Sequence, residues 1–409
     1  MPTRRPNLKT YPSHSLSVIS KPVWLLSPLL LLAGCTRFQH IQTEHVYVSA
    51  RQVYLHDRVA AVSNRTALVT NGEALEVVEH GKRFVKVRTP KGEVGWLEDH
   101  AIIDDKLYAQ FEDLTKEHAK DPVVANGQLR DDLYLHLLPG RETPHFLLVA
   151  GNTKVQLLQR GTIAKAQPPG TAIPKPQTPA SSEAAPAIPM EDWWLMRDAS
   201  GHTGWLLANR VDVDVPDEVG QYAEEQRMVA AYPIAKVLDD GTGHERKKGE
   251  PASKKHGKSA ESAASAADDT ITPTAPQEKT EYVTVLSPPR GGLPYDFDQV
   301  RVFTWSLNHH RYETAFRLRG IQGYLPVVIS QENVGGQTEP AFSFQIATGP
   351  NVSIDPQTGV TRPVASRTIA FRLEGNLVRR TGSDQSPIVA MHDPSEAPKA
   401  KTAARKKKK

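Results

Sequence analysis

The chain contains one unit twice. "VYLHDRVAAVSNRTALVTNGEALEVVEHG" (Val53 to Gly81) runs beside "LYLHLLPGRETPHFLLVAGNTKVQLLQRG" (Leu133 to Gly161). Tyr54-Leu55-His56 matches Tyr134-Leu135-His136, and Gly81 matches Gly161, all at an offset of 80. Next, "FVKVRTPKGEVGWL" runs beside "WWLMRDASGHTGWL", where Phe84, Arg88, Gly92, Gly95, Trp96 and Leu97 align with Trp193, Arg197, Gly201, Gly204, Trp205 and Leu206 at an offset of 109. A Pro/Ala-rich insertion in the second copy accounts for the change of offset. A repeated unit folds the same way both times, so its local pattern constrains the whole first half of the chain. That pattern is β. Leu75 to Val78 and Phe84 to Arg88 alternate with period two around a turn at Gly81. Gly92 and Gly95 frame a second tight hairpin, where glycine accepts positive φ.

The apolar-x-Val step followed by Gly-x-x-Gly-Trp-Leu, here "VKVRTPKGEVGWL" and "LMRDASGHTGWLL", resembles the bacterial Src-homology-3 (SH3-like) domain family over Tyr47 to Ile103 and Leu133 to Val213. The resemblance implies two small β-barrels that bind ligands. Both copies depart from the family at their starts. "VYLHDR" and "LYLHLL" stand where it usually has an Asn-Val-Arg-x-Gly-Pro-like stretch carrying groove residues. Trp96, Trp205, Trp193 and Trp194 are the candidate ligand-contact residues, with a structural core role as the alternative. Trp193 and Trp194 are adjacent and face opposite sides of a strand, so at least one is expected to be partly exposed. His56 and His136 are read as packing or surface residues, and neither a metal nor another cofactor is expected.

Helical spacing appears between and after the copies. Leu107, Phe111 and Leu114 share a face of "LYAQFEDLTKEHAK". Val219, Tyr222 and Met228 do so loosely in Asp217 to Ala231. From Glu281 to Thr381, "YVTVLSP", "VRVFTWSL", "RYETAFRL", "YLPVVIS", "AFSFQIA" and "RTIAFRLEGNLVRR" alternate as strands, with "EGN" as a type I′-like turn. Tyr232 to Leu238 is expected to open this region by pairing with Tyr282 to Ser287. "YDFDQVRVFTWSLNHHRYETAFRLRGIQGYLPV" is similar to carboxy-terminal segments of bacterial SH3-like lipoproteins of unknown role. His309-His310 reads as a polar turn, and Asp296 and Asp298 as a strand start.

The amino-terminal stretch is of another kind. Arg4, Arg5, Lys9 and Lys21 precede an apolar run from Val23 to Ala33, with no acid before Glu44. The run is about half of the ~20 residues a spanning helix needs, and reads as an export signal. "TRRPNLK" at Thr3 to Lys9 is similar to a twin-arginine motif, with a plain basic start as the alternative. Leu32-Ala33-Gly34-Cys35 resembles a bacterial lipobox. That resemblance implies cleavage between Gly34 and Cys35 and diacylglycerol with a fatty acid such as palmitate on Cys35. It predicts a lipoprotein of the cell envelope, held at a membrane and facing the periplasm or exterior.

Cys35 is the single cysteine in 409 residues, so no thiol is left for a cysteine hydrolase. The sequence carries no His-Glu-x-x-His, no Gly-x-Ser-x-Gly and no phosphate loop, and a non-catalytic protein is expected. The four basic residues before Cys35 equal the whole formal charge of +4, so no basic field points to nucleic acid. The partners expected are the membrane through Cys35, and peptidoglycan or an envelope protein.

The expected fold class is mainly β: two small SH3-like β-barrels each followed by a helix, a carboxy-terminal antiparallel β domain, and long disordered loops. The order is a signal peptide over 1–34, a tether over 35–46, SH3-like domain 1 over 47–104, a helical linker over 105–126, and SH3-like domain 2 over 127–214 with a disordered insertion at 164–190. A helix over 215–231, a β domain over 232–382 with a disordered insertion at 240–280, and a disordered basic tail over 383–409 complete it. The insertions are too rich in Pro, Ala, Ser and Lys to bury the apolar surface that ordering requires.

Overall fold

Alternation builds the strands. In "FVKVR" Val85 and Val87 are buried while their neighbours are not, and in "VGWLE" Gly95 and Leu97 are the buried pair. The computed structural model describes residues 44–166, 188–240 and 276–390. The signal, Cys35 and most of both insertions and the tail lie outside the described residues. No helix among the described residues is long and apolar enough to cross a membrane, which leaves spanning by strands untouched.

The first copy has β1 (His45–Val48), β2 (Gln52–His56), β3 (Arg65–Thr70), β4 (Ala74–His80), β5 (Phe84–Arg88), β6 (Val94–Glu98) and β7 (Ile102–Asp104), followed by α1 (Asp105–Glu117). The second has β8 (Ala125–Leu129), β9 (Leu133–His136), β10 (His145–Val149), β11 (Lys154–Ala164), β12 (Met190–Arg197), β13 (Thr203–Leu207) and β14 (Val211–Val213), followed by α2 (Asp217–Gly220). The sheet orders are β3-β2-β6-β5-β4-β1-β7 and β10-β9-β13-β12-β11-β8-β14. The two orders are the same strand for strand, so the repeat in the letters is a repeat of topology.

The remainder is a meander: β15 (Arg227–Asp239), β16 (Gln277–Ser287), β17 (Phe297–Ser306), β18 (Arg311–Val334) and β19 (Gln337–Ala347), then a hairpin of β20 (Val352–Ile354) and β21 (Thr361–Pro363), then β22 (Ser366–Glu374) and β23 (Leu377–Thr381). Its sheet order is β15-β16-β17-β18-β19-β22-β23, with the β20–β21 hairpin set apart. The protein is therefore mainly β, as expected from the sequence.

Several elements differ from the sequence expectation. The helix expected through Ala231 stops after one turn. Glu224 and Glu225 take φ of +52° and +65°, and from Arg227 the chain pairs with β16 instead. Strand pairing reaches into the segments expected to be disordered. Ala164 pairs with Met190, and Asp239 with Gln277, so each insertion starts from the open end of an antiparallel pair. The tail is held at its start, where Arg367 donates to the Pro387 carbonyl and Arg380 to that of Ser386, both at 2.6 Å. "RYETAFRL" and "YLPVVIS" are one strand, β18, pairing first with β17 and then with β19. In the "EGN" turn, Gly375 has φ of +59° and Asn376 is not among the positive-φ residues, which is the II′ pattern rather than I′.

Two cores result. Leu55, Val69, Leu75, Val87 and Leu97 fill the first copy. In the second copy Leu135, Phe146, Leu157, Trp194 and Leu206 run on without a break into Val283, Phe297, Val300, Phe342 and Phe371 of the meander. Helix α1, capped by Asp104 accepting from the Leu107 amide at 2.8 Å, joins the copies. Its Tyr108 stacks on Tyr47 of the first copy with ring centroids 3.7 Å apart, and both rings meet Phe146 of the second edge-on.

Candidate ligand groove

Each copy places a histidine opposite the tryptophan of its Gly-Trp-Leu step: His56 faces Trp96 across β2 and β6, and His136 faces Trp205 across β9 and β13. The histidines are set alike. His56 Nδ1 lies 2.9 Å from Ser63 Oγ, and His136 Nδ1 lies 2.9 Å from Thr143 Oγ1. Thr143 donates its hydroxyl hydrogen to the Leu138 or Gly140 carbonyl, so its oxygen accepts from His136 Nδ1–H. Ser63 and Thr143 share the 80-residue offset of the histidines, a signal present in the letters that motif reading passes over. Gly81 and Gly161 lie alike against the edge of the Trp ring. A Cβ would stand 3.4 Å from Trp96 at the first and 3.0 Å from Trp205 at the second.

The surroundings then diverge. In the first copy a groove of about 590 Å³ opens over Tyr54, His56, Phe84 and Trp96, with Val59 and Ser63 on its wall. Lys86 Nζ stands 5.7 Å from the centre of the Trp96 ring, a cation–π contact at the rim. The loop after β2 turns Val59 and Val62 to solvent, 50% and 85% exposed.

In the second copy the same place is filled. The tip of the β20–β21 hairpin, residues 355–360, crosses β11 so that Val360 bridges to Gly161 and the Thr162 amide donates to the Gly359 carbonyl at 3.1 Å. Val360 and, from α1, Leu114 pack on a cluster of Leu158, Trp193, Leu195 and Trp205. Glycine is required on both sides of the crossing. A Cβ on Gly161 would stand 2.2 Å from the Thr358 carbonyl oxygen, and one on Gly359 2.0 Å from that of Thr162.

These facts correct three of the four candidate contacts. Trp193, Trp194 and Trp205 are 2%, 5% and 2% exposed, and neither face of β12 is open. Trp194 points into the core shared with the meander, and Trp193 lies under the α1 and hairpin cover. Trp96 alone of the four borders an open groove. His136 beside them is half-buried. Loss of solvent and the neighbouring His145 push its pKa down to about 4, so it is neutral at pH 7. The histidine pair at 309–310 serves structure: His309 lies 2.6 Å from Glu313, and His310 lies 2.9 Å from Asp239, which also accepts from the Trp305 indole. No group of three or more His, Cys, Asp or Glu placed to hold a metal occurs among the described residues.

No protein-family model matches the chain. No curated protein matches it either. Among solved structures, an NlpC/P60 family protein from Bacillus cereus is 13% identical with a TM-score of 0.20 over 42% of this chain. This chain covers 60% of that protein's length. NlpC2 and NlpC1 from Trichomonas vaginalis are 9% and 10% identical, each over 66% of this chain and over 91% and 87% of their own, both with a TM-score of 0.14. Overlaps of this size fix neither fold nor activity.

Proposed function

We propose that this is a lipid-anchored, non-catalytic protein of the cell envelope, facing the periplasm or exterior. Its two copies are SH3-like domains, and the first binds cell-wall peptide, glycan or a protein partner through the Trp96 groove. One observation carries the reading: two units of one topology differ in that Trp96 borders an open groove while Trp205 is sealed by the chain itself. The lipobox at Cys35 supports the anchor, and the use of the single thiol there supports a role without cysteine catalysis.

Purified sacculi incubated with the full chain and with Trp96→Ala test the groove. Retention of the first and loss of the second is the expected result, and equal retention removes the groove from the account. Labelling with a fatty-acid analogue tests the anchor, since Cys35→Ala should abolish the label and leave an uncut precursor.

A second reading draws on the continuous core between the second copy and the meander. In it the body built on that core is a spacer or assembly subunit of an envelope complex, or a non-catalytic partner of a separate cell-wall hydrolase. Co-purification with another envelope protein, unchanged by Trp96→Ala and without sacculus retention, favours that reading.

A further inference from the structure

The open groove has a filled counterpart in the same molecule, and the filling shows the chemistry that such a groove accepts. On the second copy the occupant is protein. It is a hairpin tip whose Gly359 passes against Gly161, whose carbonyl takes the Thr162 amide hydrogen, and whose Val360 sits on the tryptophan cluster. The first copy keeps part of the receiving surface, with Val78, Phe84 and Lys86 standing where Leu158, Trp193 and Leu195 form the seat. Gly81 stands where Gly161 stands, Lys82 where Thr162 stands, and Trp96 where Trp205 stands. The histidine on the opposite strand is held by the same hydroxyl bond. Exposure differs as well. Gly81 is exposed where Gly161 is buried, and Val59 is half exposed where Pro139 of the second copy is buried. A partner that fills the groove therefore also finds the Val59 side chain on its wall.

We infer that the Trp96 groove takes a β-hairpin tip of a protein partner carrying a glycine followed by an aliphatic residue, in the pose that residues 355–360 take on the second copy. Glycine lets the partner's backbone approach the Gly81 edge, its carbonyl accepts a backbone hydrogen there, and the aliphatic side chain covers the indole. Main-chain pairing provides the register and the side-chain seat provides selectivity. This rests on the reading of the first copy as a binding module and names the class of its ligand as protein rather than glycan.

The test uses a cyclised, fluorescently labelled peptide of residues 351–364, titrated by anisotropy against the full chain in detergent. The expected result is saturable binding that weakens at least tenfold with Trp96→Ala protein. It should weaken at least tenfold again when the peptide carries Gly359→Val or Val360→Asp, changes that leave the protein's folding untouched. The protein's own tip, tethered at high effective concentration, keeps the second copy closed to the peptide. Absence of peptide binding, or binding indifferent to Trp96 or to the glycine, overturns the inference. Disaccharide-peptide fragments of peptidoglycan form the second arm. If they bind at Trp96 and the hairpin peptide does not, the inference falls and the wider binding function stands. If neither binds and sacculi are not retained, both fall.

Discussion

Trp96 and Trp205 share a Gly-Trp-Leu step, in "EVGWLE" and "HTGWLL", yet their environments make them opposite in consequence. Trp205 is enclosed by Leu158, Trp193, Leu195 and Val360, so Trp205→Ala leaves a cavity and should cost about 3–5 kcal/mol in urea unfolding. Trp96 keeps one face on the groove, so Trp96→Ala should cost ~1–2 kcal/mol, and its main effect should be on binding. Near-equal costs would mean that the two sites are buried alike. The histidines behind the tryptophans carry a pH prediction. His136 has its pKa held at about 4 by burial and by His145, against ~6.5 in the unfolded chain. Between these values the unfolded state binds the extra proton, so stability rises with pH. The contribution is complete above ~6.5 and is lost as pH falls toward 4, by less than the ~3 kcal/mol of the full shift because solvent screens the partly exposed ring. Unfolding of His136→Asn, which keeps a donor for Thr143, should show a shallower fall between pH 6.5 and 4. A profile identical to that of the parent would place the acid sensitivity elsewhere.

At the scale of elements, the β20–β21 hairpin decides which groove is open. Its tip is built locally. Asp355 Oδ1 accepts from the Gln357 and Thr358 amides at 2.9 and 2.8 Å, bonds that hold its carboxyl below the usual range. The "DPQTG" letters are those of a turn, and nothing in them reports that it lands on β11, far back in the chain. Replacing residues 355–360 with Asn-Gly keeps Ile354 opposite Thr361 in a two-residue turn and removes only the cover. Tryptophan emission should then shift to the red with greater quenching by acrylamide, and Trp205→Phe in that background should abolish the change. An unaltered spectrum would mean that α1 alone seals the cluster.

At the scale of the whole molecule, Arg160 is the bolt between the second copy and the meander. It is 7% exposed, lies 3.2 Å from Asp192 and 3.0 Å from Asp296, and donates to the Leu293 and Tyr295 carbonyls. Asp192 shares a second cation, Arg227, at 3.4 Å. Arg160→Met would leave the buried Asp192 and the half-buried Asp296 short of a partner and should cost about 3–5 kcal/mol. Because these bonds cross between the second copy and the 293–296 segment, calorimetry of this variant should separate one unfolding transition into two. A single transition at reduced temperature would assign the coupling to the shared apolar core instead.

The repeat, the period-two strands, the glycine turns and the mainly β class all follow from neighbours in the sequence, because pleat and turn geometry act over a few residues. So does α1, whose apolar spacing and Asp104 cap lie within a few turns of each other. The expectation failed where distant chain competed. Asp217 to Ala231 has helical letters, but Val229 and Ala230 gain more by joining the core beside β16 than one amphipathic helix gains alone. The four tryptophans make the same point at the site. Local sequence places Trp96 and Trp205 on equivalent strands beside equivalent histidines and glycines. Which of them meets a ligand depends on a hairpin tip and a helix arriving from elsewhere in the chain; the covered copy has Leu195 and Leu207 where the open one has Lys86 and Glu98, but those letters do not name the segment that covers them.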